Sequence, residues 1–310
     1  MNKLDKLFKK FIVEYDPVEY FSRYITPELE GYEKVKTAIL LMLVSEDYMI
    51  NFRHRLHLGL VGMAGTGKTV FMQYLERVFN AVYLTQDTSI STLKADARKK
   101  DYGVQIFKNN DKGIICIDEI ELMRDRETLR DVMEKGEVIY SKAGNIEKYP
   151  ARIRLVVGSN NFNNMSEALL DRLDFIFYFN MPSVEEAKKI ARKIIELYTG
   201  NINYEKQLLL LREYIEWAKS FKPTIGEDDK ENVINVFDKY FDYIGEGRTG
   251  RFITRILRIA TAHAKLYHRN IIDEDIKYAL YMIKDREEII SEMRKKHIDK
   301  DNKKKKNRKK

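Results

Sequence analysis

Nowhere in these 310 residues do 18 apolar ones run together, so the sequence offers no candidate for a membrane-spanning helix. Cysteine occurs once, at Cys116, which excludes an intramolecular disulfide and any cysteine-cluster zinc site. Proline (5) and glycine (15) are scarce, so long disordered linkers inside the body are not expected. The first residues, MNKLDKLFKKFIVEYD, lack the apolar core and small-residue cleavage site of a secretion signal. These absences point to an intracellular, cytoplasmic protein with no membrane partner.

What is present is a chain long enough for one large or two medium domains, with 44% hydrophobic residues to fill their cores. The net charge of +8 is unevenly spread, because Arg294–Lys310 alone carries 11 Lys/Arg against two Asp. The folded body is therefore nearly neutral, and the basicity belongs to a tail. Such a block is usually a disordered, solubilising segment, but it is equally suited to holding a polyanion by counterion release. No internal repeat is found.

Along the chain, residues 1–20 read as an N-terminal amphipathic helix with Leu4, Leu7, Phe8, Phe11 and Ile12 on one face. KVKTAILLMLV (34–44) reads as a buried helix. LHLGLVG (56–62), AVYL (81–84), GIICID (113–118), RIRLVVGSN (152–160) and FIFYFN (175–180) read as strands, with helices at 70–79 and 126–136 between them. Alternating strands and helices predict an α/β fold: a parallel five-stranded sheet covered on both faces. From Ser183, which opens a capping box with Glu186, everything periodic is helical to about residue 293. The expected organisation is thus a helix at 1–20, an α/β core at 21–182, a helical lid at 183–293 and a basic tail at 294–310.

GMAGTGKT (62–69) fits the phosphate-loop pattern G-x-x-x-x-G-K-[ST] in full, after a strand and opening a helix. The stretch Gly62, Met63, Ala64, Gly65, Thr66, Gly67, Lys68, Thr69 and Val70 is the candidate ATP cradle. Its glycines let backbone N–H groups curl around phosphate oxygens, and the helix N-terminus adds positive charge. Lys68 is expected to reach the outer phosphates, and the Thr69 hydroxyl to ligate Mg2+. IICIDE (114–119) supplies two carboxylates at the end of a buried strand. Asp118 would hold the Mg2+, mainly through water, and Glu119 would polarise the attacking water. Asp-Glu after an apolar strand is commonplace; about fifty residues after a phosphate loop it is informative. An amide at the end of RLVVGSN could hold that water or the terminal phosphate, but periodicity does not choose Asn160 over Asn161.

A parallel α/β unit followed by a helical one is the outline of an AAA+ phosphate-loop ATPase. Several motifs then resemble one family in particular, the minichromosome maintenance (MCM) replicative helicases. DEIELM (118–123) and the later SKAG (141–144) resemble its D-E-F-D-K-M strand end and S-I-x-K-A-G-I hairpin; AR (151–152) and Asn160 follow in the family's order. ITPELEGYEKVKTAILLMLV (25–44) and LLDRLDFIFYF (169–179) resemble its I-A-P-x-I-Y-G and L-L-S-R-F-D-L-I-F segments. RTGRFITRILRIATAHAKLYHR (248–269) resembles its T-x-R…R-[LI]-A-x-A-x-A-[KR]-L stretch.

The resemblance covers about 20–290. It implies an ATPase ring, hexameric in this family, acting on single-stranded DNA in a central pore. It makes Asn160 the first sensor, Arg172 the arginine finger and Arg251 the second sensor, both arginines acting on a neighbour's nucleotide. It places Lys142 at the tip of a DNA-tracking hairpin. Lys99 and Lys100 fall where a second pore hairpin is expected, although a solvated loop fits them as well. Without the flanking motifs, the two arginines would read as surface ion pairs and Lys142 as a solvated turn.

There are departures. Gly67 stands where the family usually has alanine, Lys135-Gly136 where it has Q-Q, and Asn161 where it has proline. About twenty residues precede the module in place of the family's large N-terminal domain with its zinc site, and a lysine tail follows in place of a winged helix. The expectation is a stand-alone motor. His54 and His57 have no acidic or cysteine partner nearby and do not read as metal ligands. His263, Trp217 and Tyr214 read as packed lid residues. Two functions fit: an ATP-driven DNA translocase or helicase, and a nucleotide-switched loader or remodelling factor for a replication complex that unwinds nothing. A DNA-binding ring with slow hydrolysis is a weaker third.

Overall fold

A computed structural model describes residues 3–49, 51–85, 106–107, 109–122, 129–142, 145–161, 166–200, 203–244 and 249–291. The chain opens with two helices rather than the one expected over 1–20: α1 (Lys3–Glu14) and α2 (Pro17–Ser22). The break is local chemistry. Asp16 caps α2, accepting from the Glu19 N–H at 2.9 Å, and Pro17 takes the first helical position, where its missing N–H costs nothing. The expected apolar face also splits. Phe8 is buried and Phe11 and Ile12 pack on the core, but Leu4 and Leu7 are exposed.

Helix α3 (Glu33–Val44) is buried without interruption from Val35 to Val44, as an apolar-all-round helix must be. Then β1 (Leu58–Gly62) leads into α4 (Lys68–Phe79), β2 (Val82–Leu84) and β3 (Ile114–Ile117). Helix α5 (Leu129–Lys135) precedes a hairpin of β4 (Glu137–Lys142) and β5 (Asn145–Pro150). Strand β6 (Arg154–Ser159), the short α6 (Glu167–Leu170) and β7 (Phe175–Phe179) complete the α/β unit.

The sheet is parallel throughout, in the order β2-β3-β6-β1-β7. Its strands alternate between two cores. Leu58, Leu60, Cys116, Val156 and Phe177 join α3 and α4 on one side. Val61, Ile115, Ile117, Val157 and Ile176 join Leu129, Met133 and Leu169 on the other. Because β3, β6 and β1 are neighbours, their carboxyl ends lie side by side, where an open parallel sheet binds ligands.

The lid comprises α7 (Val184–Tyr198), α8 (Glu205–Ser220), α9 (Glu227–Ile244), α10 (Gly250–Leu266) and α11 (Asp273–Met282). The capping box at Ser183 and Glu186 forms as expected. Tyr214 and Trp217 of α8 are core residues, packed around Phe8 of α1 at 5.2 and 5.4 Å between ring centroids. The lid is fixed to the core by charge as well as apolar contact. Arg251, Arg255 and Arg258, on one stripe of α10, meet the turn before β7. Arg251 pairs with Asp171 at 2.7 Å, Arg255 donates to the Asp171 carbonyl at 2.6 Å, and Arg258 pairs with Asp174 at 2.6 Å. Asp174, fully buried, also accepts from the His57 N–H at 2.9 Å and from Arg53 at 3.2 Å. The surrounding guanidinium groups overcome burial and hold its carboxyl well below the usual range.

His57 is locked neutral. Its Nδ1 accepts from the Leu155 N–H at 3.0 Å, its Nε2 faces the Met133 carbonyl at 3.2 Å, and burial pushes its pKa well down. His54 is buried against Tyr48, and burial lowers its pKa to about 4. His263 is buried on Asp275 at 2.6 Å.

Candidate functional site

The turn after β1 is shaped by its glycines. Gly65 (φ +81°) and Gly67 (φ +100°) adopt a left-handed backbone, and a Cβ on Gly62 would sit 2.2 Å from the Phe179 carbonyl oxygen of the adjacent strand. The left-handed conformation at Gly67 gives a local reason for glycine where the family usually has alanine. Gly67 also caps α4, so the helix starts at Lys68 with its N-terminal N–H groups turned to the loop.

Lys68 Nζ donates to the carbonyls of Gly62 at 2.5 Å and Met63 at 2.8 Å and lies 3.3 Å from Asn160 Oδ1. Burial lowers its pKa and the nearby Asp118 opposes that shift. Asn160, just past β6, lines the same cavity as Lys68, and Asn161 does not. The Asn160 N–H donates to Glu121 Oε1 at 2.7 Å.

Beside it stands Asp118, one residue past β3. Its Oδ2 accepts from Thr69 Oγ1 at 2.8 Å and from the Tyr83 hydroxyl at 2.9 Å; its Oδ1 faces the Glu119 N–H at 3.0 Å. On β6, Gly158 leaves the room this carboxylate needs, since a Cβ there would lie 2.6 Å from Asp118 Oδ1. Glu119 adopts a left-handed φ of +51°, rare for a non-glycine residue, where the chain leaves the sheet for a 3-10 turn over Ile120–Leu122.

These groups border a cavity of about 490 Å3. Ala64–Val70, Asp118, Glu119 and Asn160 form its polar side; Leu29, Pro182 and Ile190, Ala191 and Ile194 of α7 form an apolar one, beside Tyr32. Gly62 and Met63 stand behind the loop as acceptors for Lys68 rather than at the cavity wall. Sequence reasoning missed the two tyrosines. Tyr32 donates to the Thr66 carbonyl at 3.2 Å, and Tyr83 donates to Asp118. Strand register was the missing information: Tyr83 pairs with Cys116 and Leu84 with Ile117, which brings β2 alongside the exit of β3.

The other predicted residues lie elsewhere. Arg172 pairs with Glu134 at 3.2 Å and donates to the Ala168 carbonyl at 2.5 Å; Arg251 is held on Asp171; neither borders the cavity. Lys142 is the last residue of β4, paired with Asn145 at the tip end of the hairpin. Lys99 and Lys100 lie outside the described residues. Gly136 explains one departure: it follows α5 with φ +67°, and a Cβ there would come 2.3 Å from Arg55 Nη1. Among the described residues no group of three or more His, Cys, Asp or Glu is arranged to hold a metal ion, and no helix is long and apolar enough to cross a membrane.

Residues 5–198 match the MCM P-loop domain, and residues 209–286 match the MCM AAA-lid domain. The chain belongs to the MCM family. Its α/β sheet with helical lid is the AAA+ fold of that family. An uncharacterized MCM-type protein of Methanocaldococcus jannaschii is 27% identical, covering 89% of this chain and 46% of that protein. The minichromosome maintenance protein MCM of Saccharolobus solfataricus is 28% identical, covering 84% and 43%. The DNA replication licensing factor MCM3 of Entamoeba histolytica is 24% identical, covering 91% and 61%. This MCM chain therefore spans less than two thirds of each of these relatives.

Proposed function

We propose that this MCM chain hydrolyses Mg2+·ATP at sites shared between neighbouring copies of a hexameric ring, and that the ring moves along single-stranded DNA. One observation carries the reading: among the described residues the cavity has a cradle, two acids and a sensing amide but no arginine, while Arg172 and Arg251 stand together at the 171–174 turn. Charge developing on a transferred phosphoryl group calls for an arginine in addition to Lys68, and among the described residues none borders the cavity. A ring supplies it from the next protomer.

The donor set fits Mg2+. A hydroxyl and a carboxylate, both hard oxygen ligands, lie 2.8 Å apart at Thr69 and Asp118, suited to one direct contact and one through water. The ion would neutralise charge on the β- and γ-phosphates. The chain's own residues do the rest. Lys68 exchanges its carbonyl partners for phosphate oxygens, Glu119 takes the proton of the attacking water, and Asn160 orients that water. The apolar wall of Leu29, Pro182, Ile190, Ala191 and Ile194 would enclose the base.

The test is complementation between two inactive variants. Lys68→Ala removes the cradle cation and Arg172→Ala the trans cation, and each alone should lose hydrolysis by a factor of about 10^3 or more. Mixed, they should regain part of the wild-type rate, because some interfaces then hold one intact half from each. Full activity of Arg172→Ala alone, or no recovery on mixing, would refute a shared site. Displacement of a strand from a forked duplex separates this reading from a nucleotide-switched loader, which would bind its partner with ATP but unwind nothing.

A further inference from the structure

We propose that Tyr83 is a positioning residue for the metal site: its hydroxyl fixes the Asp118 carboxylate in the orientation that a nucleotide-bound Mg2+ requires. The inference rests on the reading of this cavity as a Mg2+·ATP site and adds to it a residue that neither the phosphate loop nor the acidic pair contains.

The geometry is specific. Asp118 Oδ2 accepts two hydroxyl protons, from Thr69 at 2.8 Å and from Tyr83 at 2.9 Å. The other oxygen, Oδ1, faces the Glu119 N–H at 3.0 Å and has Gly158 behind it, with no Cβ in the way. A carboxylate has about four lone-pair sites. Three donors and one wall of bare backbone thus engage both oxygens of the group. Thr69 is the one donor that Mg2+ would recruit as its own ligand. Its hydroxyl can bind the ion through a lone pair and still donate to Asp118, so Tyr83 is the side-chain donor that would hold the carboxylate independently of the metal. A carboxylate that reaches a metal through water depends on such an outer partner, and removal of outer partners at metal sites commonly costs 10–100-fold in metal affinity.

Tyr83 is placed for this task by the fold. It lies on the edge strand β2, in register with Cys116 one strand away, so its ring passes over the end of β3 and its hydroxyl arrives beside Asp118. A ring kept only for packing would need no polar tip at this point. The hydrogen bond, not the ring, is the proposed function.

The experiment compares Tyr83→Phe with the full wild-type chain, since phenylalanine keeps the ring and removes only the hydroxyl. The affinity of a fluorescent ADP analogue is measured across a Mg2+ titration and again in excess EDTA, and Mn2+ binding to the nucleotide complex is followed by electron paramagnetic resonance. In Tyr83→Phe the Mg2+ concentration giving half-maximal tightening of nucleotide is expected to rise about 10-fold or more. Metal-free nucleotide affinity should stay within a factor of two of wild type, a pattern a folding defect would not produce. An unchanged Mg2+ midpoint and unchanged Mn2+ spectrum in Tyr83→Phe, with wild type behaving as metal-dependent, would overturn the role of Tyr83 alone. A wild type whose nucleotide affinity is indifferent to Mg2+, or which binds no nucleotide, would overturn the reading of the cavity and this inference with it.

Discussion

Glu119 occupies a backbone conformation that disfavours every L-residue with a bulky side chain, and the surrounding bonds hold it there. The Asp118 N–H is tied to the Leu84 carbonyl at 3.0 Å and the Leu122 N–H to the Glu119 carbonyl at 2.9 Å, so the chain cannot relax without losing both. Strain of roughly 1–3 kcal/mol at this residue supports the proposed role of Glu119 as the catalytic base. Replacing Glu119 with Gln keeps size and backbone and removes only basicity. Hydrolysis should fall by a factor of about 10^2–10^4 while ATP affinity holds, as read by steady-state turnover beside equilibrium nucleotide binding. Turnover within a factor of three of wild type would show that the base is another group. At this scale Lys68, Thr69 and Asp118 are legible in the sequence by spacing along the chain, whereas the strand end leaves Asn160 and Asn161 open and only the family resemblance favours Asn160. Tyr83 and Tyr32 are not legible, because each reaches the site from an element whose place depends on pairing between distant segments. Gly158 is unreadable for the same reason, since only strand adjacency shows that its bare Cα faces Asp118.

Among the elements, α10 and the turn before β7 are linked by charge. Three arginines of one helix converge on Asp171 and Asp174, and Asp174 has no exposed surface. Buried ion pairs of this kind add little net stability over an apolar substitute, but breaking one strands the remaining charge. In Asp174→Asn the guanidinium groups of Arg53 and Arg258 lose their carboxylate without any cavity being made. Urea denaturation should show a loss of about 3–5 kcal/mol. A loss no larger than the roughly 0.5 kcal/mol of an ordinary surface change would mean that the cluster is solvated. The five strands of the main sheet, the buried α3 and the lid helices are readable from the hydrophobic pattern, while the β4–β5 hairpin is implied only by the family resemblance. The break between α1 and α2 is also written in the sequence, as Asp16-Pro17, a cap followed by the residue that suits a first helical turn. Reading residues 1–20 as one helix lets the spacing of leucines and phenylalanines outweigh that punctuation. The arginine stripe of α10 is visible as a period, yet its partners lie some eighty residues away, so nothing local distinguishes a lid clamp from a solvated face.

For the whole molecule, the arrangement separates the nucleotide cavity from the 171–174 turn and from the β4–β5 hairpin, and the proposed ring gives each a neighbour. The hairpin follows α5 directly, and α5 carries Glu134, the partner of Arg172. Any rearrangement of Arg172 toward another protomer's phosphate therefore pulls on the helix from which the hairpin springs. Under the proposed function this would be a physical route from hydrolysis to movement, and it makes a specific demand on Lys142, which ends β4 at the tip. If the hairpin grips the strand, Lys142→Ala should leave basal hydrolysis near wild type and reduce its stimulation by single-stranded DNA several-fold. The dependence of DNA affinity on salt should also flatten, by about 0.7 in the log–log slope for each phosphate contact removed. Both follow from one cause, because a lysine that neutralises a phosphate contributes to affinity through released counterions and to coupling through the hairpin. Stimulation and salt slope that both match wild type would place the DNA elsewhere, with the basic run from Arg294 to Lys310 the next segment to remove.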